Sequence, residues 1–306
     1  MRASRLKKND KIGIISPSDP ITEDLMPQFN KGINFFRDLG FDVVVAKNAL
    51  SNTLGYSATP KEKAEDINEM FKDASIKAII CSQGGRTANI CLPFLDFEII
   101  GKNPKIFLGM SDITVLLNAI YAKTGLITFH GGDIVWNFGR EPKLYDKKEF
   151  IDRLMDGKIG LINNNGERMT IRGGTAEGKL LGGNLRCLLK LAGTPYFPDF
   201  NESILFLENF GFSAEETHCS FAQLEQMGVF NKVKGIIIGY IYDENYEQKD
   251  VRMEDILKDV TTEYQLPILK VNDFGHNCSN TILPVGARVK LNADEQEIEI
   301  IDECVV

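Results

Sequence analysis

The sequence predicts an α/β protein with a doubly wound parallel sheet in its N-terminal half and a second α/β domain after it. Three observations carry this. Short apolar runs rich in Ile and Val alternate with stretches of helical period through the first 130 residues, the βαβ pattern of a parallel sheet. The first of them, Lys11–Ile15, reads as a parallel strand buried on both faces. A charged and polar segment over residues 140–165 then separates them from a further series of apolar runs and helical stretches.

The elements follow in order. Lys11–Ile15 is a buried strand ending in the turn Ser16-Pro17-Ser18. A helix over Leu25–Leu39 places Phe29, Ile33 and Phe36 on one face, and Gly40 closes it. Phe41–Ala46 is the second strand. Thr59 is placed to cap a helix over Lys61–Lys72, with Pro60 at its first position. Ala78–Cys81 is the third strand, and Gly84-Gly85 follow at its carboxyl end, where a backbone without side chains lets a ligand approach. Lys105–Leu108 is the fourth strand. It turns at Gly109 into a helix with Ile113, Leu116, Leu117, Ile120 and Tyr121 on one face. Ile127–His130 is a fifth short strand. After the polar segment come the glycine-rich run Gly173–Leu185, a strand over Ser203–Asn209, a helix over Ala214–Gly228 and a strand over Gly235–Gly239. A helix over Met253–Tyr264 and a strand over Pro267–Val271 follow. Ala287–Leu291 and Glu297–Ile301 alternate like an antiparallel hairpin. The division is residues 1–145 for the N-terminal domain, 146–175 for the link and 176–306 for the C-terminal domain.

Composition narrows the function. The 306 residues are 43% hydrophobic and 25% charged, with a formal net charge of -8. That argues against a general nucleic-acid binder, which carries a basic footprint. The six cysteines form no C-x-x-C pair and no zinc spacing, so most of them read as buried thiols. No signal peptide or membrane span is read, and the cytoplasm is the default.

Ser111 stands where the fourth strand hands over to its helix. Locally it reads as a helix cap, with Asp112 favoured in the first turn by the helix dipole, or as a nucleophile on a tight strand–helix turn. In a doubly wound sheet ligands bind outside the carboxyl ends of the strands, and Gly85 and Ser111 occupy successive ends. No Walker or G-x-G-x-x-G spacing is present, so the glycines read as an amide-lined site for a phosphate or an oxyanion. Of the three histidines, His218 reads as a surface residue and His130 as able to reach the same sheet edge. His276, after a strand and a glycine, is held yet reachable as a base requires. Glu208 ends an apolar strand and is placed either to meet solvent or to orient a histidine.

With those residues in view, Asn103–Thr114 resembles the nucleophile segment of the L,D-carboxypeptidase family of serine peptidases, which also contains the microcin C immunity peptidases. Gly84-Gly85, Leu92–Asp96, Gly182-Gly183-Asn184, Leu207-Glu208-Asn209, Lys232–Gly239 and Gly275-His276 resemble family landmarks in the same order. The resemblance implies Ser111 as nucleophile, His276 as general base, Glu208 as its orienting acid, and the N–H groups of Gly85 and Asp112 as the oxyanion hole. It implies a fold like the class I glutamine amidotransferases joined to a smaller α/β domain carrying the Glu and the His. It also implies a metal-free cytoplasmic homodimer acting on a peptide or muropeptide. Many L,D-carboxypeptidases read Arg-Gly-Gly-Tyr-Gly where this chain has Gln83-Gly84-Gly85-Arg86-Thr87, so the backbone donors are kept while the side chains meeting substrate differ. A free C-terminal carboxylate calls for a cationic or amide-lined partner, and Arg86, beside the glycine pair, is a candidate. The expected activity is release of a C-terminal D-amino acid from cell-wall muropeptides. Cleavage of a peptidyl- or aminoacyl-nucleotide antibiotic analogue stands second, and a non-catalytic binding protein on the same scaffold stands as the reading of another class. An amidotransferase is disfavoured, because that class carries a cysteine at this turn, and an α/β-hydrolase because Ile113 replaces the second glycine of G-x-S-x-G.

Overall fold

The computed structural model describes residues 1–141 and 143–306. The first half alternates β1 (Lys11–Ile15), α1 (Met26–Asp38), β2 (Asp42–Val45), α2 (Pro60–Lys72), β3 (Ile76–Cys81), α3 (Phe97–Lys102), β4 (Ile106–Gly109), α4 (Thr114–Thr124) and β5 (Thr128–His130). These strands pair in parallel in the order β2-β1-β3-β4-β5, a doubly wound order that gathers the loops at the carboxyl ends of the strands. Ile12, Ile14, Ile79, Ile80, Phe107 and Leu108 are all buried, which is why their runs show no polar alternation. α2 starts as its sequence predicts. The Glu62 N–H donates to Thr59 Oγ1 at 3.3 Å, the Thr59 N–H donates to the Glu62 carboxylate at 2.7 Å, and Pro60 fills the first turn.

The second half runs α5 (Leu144–Phe150), β6 (Gly160–Leu161), β7 (Arg168–Arg172), β8 (Thr175–Asn184), α6 (Leu185–Leu189), β9 (Ser203–Phe210), α7 (Ala214–Gln226), β10 (Gly235–Tyr242), α8 (Met253–Val260), β11 (Ile268–Gly275), β12 (Leu283–Val285), β13 (Arg288–Asn292) and β14 (Glu297–Ile300). Eight of its nine strands form a second sheet, ordered β6-β14-β13-β8-β9-β10-β11-β7. Its centre, β8 to β11, is parallel, and its flanks are antiparallel.

Three features depart from the sequence reading. Residues 146–175, read as a link, supply β6 and β7, which pair at the two edges of the second sheet. The C-terminal domain, expected as the smaller, carries the wider sheet. β12 leaves the second half altogether and closes the first sheet, antiparallel to β5. A three-residue run such as Leu283–Val285 carries no sign of which sheet it will join.

α4 joins the two halves. It was expected to bury one face, yet Thr114 through Ile120 are all buried, because the second sheet covers the other side. Asn118 donates from Nδ2 to the Gly182 carbonyl at 2.8 Å and accepts the Gly182 N–H at 3.3 Å, and the Asn184 N–H donates to Thr114 Oγ1 at 2.9 Å. A Cβ on Gly183 would come within 2.4 Å of Thr114 Oγ1, and the residue's φ of +135° already favours glycine. The glycine pair before Asn184 therefore sets how closely the halves approach. Among the described residues, no helix is long and apolar enough to cross a membrane. Four of the six cysteines are buried thiols, Cys278 is half-buried and Cys219 is exposed.

Candidate active site

Ser111 follows β4 by two residues and has φ +60°, a left-handed backbone that costs a residue with a Cβ roughly 1–2 kcal/mol. The turn is held because Gly109 and Gly84 leave room for it. A Cβ on Gly109 would lie 2.8 Å from Ile113 Cγ2, and one on Gly84 would lie 2.6 Å from Ser111 Cβ and 2.8 Å from its Oγ. Strain of this kind on a half-buried serine at a sheet edge is the geometry of a strand–helix nucleophile turn.

The Gly84-Gly85 backbone passes directly beside this turn. The same Cβ on Gly84 would stand 3.3 Å from the Asp112 nitrogen. Gly85 has φ +143°, and its N–H has no acceptor among the described residues. The carboxylate of Asp112 anchors the turn from below. It is fully buried and accepts from Ser18 Oγ at 2.6 Å, from the Ala88 N–H at 2.7 Å and from the Lys190 ammonium. Burial pushes its pKa up, but Lys190 and these donors outweigh burial and hold it below the ordinary value.

From the second sheet, His276 Nδ1 meets Glu208 Oε2 at 2.7 Å. Glu208 lies inside β9, not at its end, and is fully buried, so the solvent-meeting alternative is excluded. Burial lowers the imidazole's pKa, yet the Glu208 charge and hydrogen bond raise it net; Glu208 is held low in return. The histidine loop is pinned by Asn280, which accepts the Gly275 N–H at 2.9 Å and donates to the Gly275 carbonyl at 3.0 Å. The Asn280 N–H in turn donates to Asp146 Oδ1 at 2.7 Å. The Phe210 ring lies 4.9 Å from the imidazole and stacks on Tyr242 at 5.2 Å.

Ser111, Gly85, Arg86 and His276 line one cleft of about 610 Å³ between the two halves. Glu208 lies behind His276, and Asp112 beneath Ser111. Asp133, Trp136 and Arg140 line the same cleft. Burial raises the Asp133 carboxyl to about 7, against the pull of the Trp136 and Asn137 N–H groups. Among the described residues, no three His, Cys, Asp or Glu side chains are grouped to hold a metal ion.

The structure corrects the reading of His130. It does not reach the sheet edge but is fully buried, edge-on to Phe206 at 5.3 Å and Phe274 at 5.9 Å, and burial lowers its pKa to about 4. His218 is exposed on α7, away from the cleft. Sequence reasoning missed Lys190, Asp146, Asn280 and Arg140. Each meets a partner dozens of residues away, and no local pattern marks such a pair.

The cleft offers a hydroxyl, a paired imidazole and, beside the serine, the Gly84-Gly85 backbone, groups from which acyl transfer can be built. Residues 12–131 match the sequence profile of the LD-carboxypeptidase N-terminal domain, and residues 177–291 match that of the LD-carboxypeptidase C-terminal domain. The microcin C7 self-immunity protein MccF of Escherichia coli is 32% identical, the match covering 98% of this chain and 96% of that one. The probable murein peptide carboxypeptidase of Bacillus subtilis (strain 168) is 30% identical over 95% of this chain and 91% of its own length. A solved structure of MccF in complex with glutamyl sulfamoyl guanosine superposes with a TM-score of 0.90 at 31% identity, covering 100% of this chain and 99% of that one.

Proposed function

The chain belongs to the LD-carboxypeptidase family, and from that membership and its cleft we propose a serine carboxypeptidase that releases a C-terminal D-amino acid from cell-wall muropeptides by hydrolysing an L,D peptide bond. The observation that carries the reading is the meeting, in one cleft, of the strained Ser111 turn from the first sheet and the His276–Glu208 pair from the second.

In this mechanism Ser111 Oγ attacks the carbonyl before the terminal residue while His276 Nε2 takes its proton. Glu208, bonded to Nδ1, fixes the tautomer and stabilises the imidazolium. The N–H groups of Gly85 and Asp112 meet the developing oxyanion, worth about 3 kcal/mol per donor in sites of this kind. His276 then protonates the departing amine, and water, activated by the same imidazole, clears the acyl-enzyme. The Asp112 carboxylate keeps its own N–H aimed by fixing the turn to Ala88, Ser18 and Lys190.

A second reading is cleavage of peptidyl- or aminoacyl-nucleotide antibiotic analogues. The aromatic faces of Trp136, Phe210 and Tyr242 in the cleft favour it, since a base stacks on such faces. Incubation with a muropeptide tetrapeptide, followed by mass spectrometry, separates the two. Loss of terminal D-alanine supports the muropeptide reading, whereas intact tetrapeptide beside cleaved aminoacyl-sulfamoyl adenosine selects the second. A serine-directed fluorophosphonate is expected to label the protein and to leave Ser111→Ala unlabelled. Equal labelling of both removes the nucleophile and leaves a ligand-binding protein.

A further inference from the structure

Resting on the carboxypeptidase reading, we propose that Arg140 is the anchor for the substrate's free C-terminal carboxylate and so the residue that makes the enzyme an exopeptidase. A single departing amino acid carries its amine and its carboxylate on the same carbon, so the carboxylate carbon lies roughly 2.5 Å from the nitrogen. The group that protonates that nitrogen is His276. The carboxylate anchor must therefore stand on the His276 side of Ser111, not on the oxyanion side.

Three cations line the cleft, Arg86, Arg140 and Lys143, and of these the two arginines carry a planar donor fork. Arg86 follows the oxyanion donor Gly85, and its guanidinium has no hydrogen-bond or stacking partner among the described residues. Arg140 reaches the histidine loop, its Nη1 donating to Oδ1 of Asn277, the residue after His276, at 3.3 Å. It is also held in place. Its guanidinium lies over the Trp136 ring at 4.8 Å, the indole N–H donates to Gln83 Oε1 at 3.0 Å, and Gln83 Nε2 donates to the Pro20 carbonyl at 2.8 Å. A guanidinium held over an indole keeps the rest of its donor fork for a ligand, and that fork matches a carboxylate two atoms at a time. The nearby Asp133 accepts the Trp136 backbone N–H at 2.6 Å and forms no ion pair with Arg140 among the described residues.

The test compares a tetrapeptide ending in free D-alanine with the same peptide ending in a carboxamide. The protein is expected to favour the acid by about 100-fold in kcat/KM, since a site built for a charged group rejects its neutral analogue. Arg140→Gln should lose most of that preference through KM on the acid, with the amide changed by no more than about threefold, and Arg140→Lys should restore part of it. Equal losses on acid and amide overturn the proposal, as does collapse of the preference in Arg86→Gln in place of Arg140→Gln. If neither peptide is turned over, the peptidase reading fails separately, and binding to Ser111→Ala protein decides the anchor. The acid must then bind at least about tenfold more tightly than the amide and lose that margin with Arg140→Gln, and equal binding overturns it.

Discussion

Two shifts of opposite sign meet in the His276–Glu208 pair. Burial alone would depress the imidazole and raise the carboxyl, and their contact reverses both. His276 must be neutral to take the Ser111 proton, so the acid limb of kcat/KM is expected above the ordinary imidazole value of 6.5. Glu208→Gln removes the larger charge and leaves burial opposed only by Asp133, so the limb should move down while kcat falls on the order of 10³–10⁴-fold. A pH–rate profile checks this, and an unmoved limb would separate Glu208 from the base. The stability signs follow. His276 is raised, so its contribution is complete below about 6.5 and is lost as pH rises through the folded value; Glu208 is lowered, so its contribution is complete above about 4.5 and is lost as pH falls through its own. At this scale the sequence was partly legible. Ser111, Glu208 and His276 stand at recognisable places beside strands and glycines. Arg140 does not, because its partners Trp136, Asn277 and Gln83 are gathered by three separate loops.

The turn between β4 and α4 depends on one ion pair as much as on its glycines. Asp112 is fully buried, whereas the Lys190 side chain, just beyond α6, is 27% exposed. Because the folded Asp112 pKa is lowered, its stabilisation is present above the ordinary 3.8 and is lost as pH falls through the folded value. Lys190→Met leaves a buried carboxylate without its cation. The expected loss at pH 7 is about 3 kcal/mol, shrinking towards pH 4 as the carboxyl takes a proton. Urea unfolding at both pH values measures it, and equal losses at the two would assign Lys190 to packing alone. Elements were more legible than such ties. β1 to β4 show by the apolar runs at their centres, and Thr59-Pro60 marks the start of α2. The all-round burial of α4 was not legible, because its far side is covered by β8 and α6, whose approach depends on Gly182 and Gly183.

Between the sheets, His130 touches the structure two residues ahead of each residue of the proposed triad. It pairs in register with Gly109, two before Ser111, and packs on Phe206 and Phe274, two before Glu208 and His276. Side chains repeat every second residue along a strand, so this one ring underlies both members of the His276–Glu208 pair. Neither of its nitrogens has a partner among the described residues. A phenyl ring in the same place would keep the packing and remove two unsatisfied polar atoms, a change that is neutral or stabilising when shape is kept. His130→Phe is therefore expected to hold or raise the melting temperature at pH 7. The larger difference belongs to acid. The folded protein keeps His130 neutral down to about 4, whereas the unfolded chain protonates it near 6.5. The unfolded state then binds the extra proton, and stability falls with pH across that interval by up to roughly 3 kcal/mol. His130→Phe has no such proton to bind, so its melting temperature should fall less between pH 7 and pH 4.5 than that of the parent protein. Parallel falls in the two proteins would mean that His130 already titrates normally in the fold and that the sheets do not close over it as tightly as its burial requires.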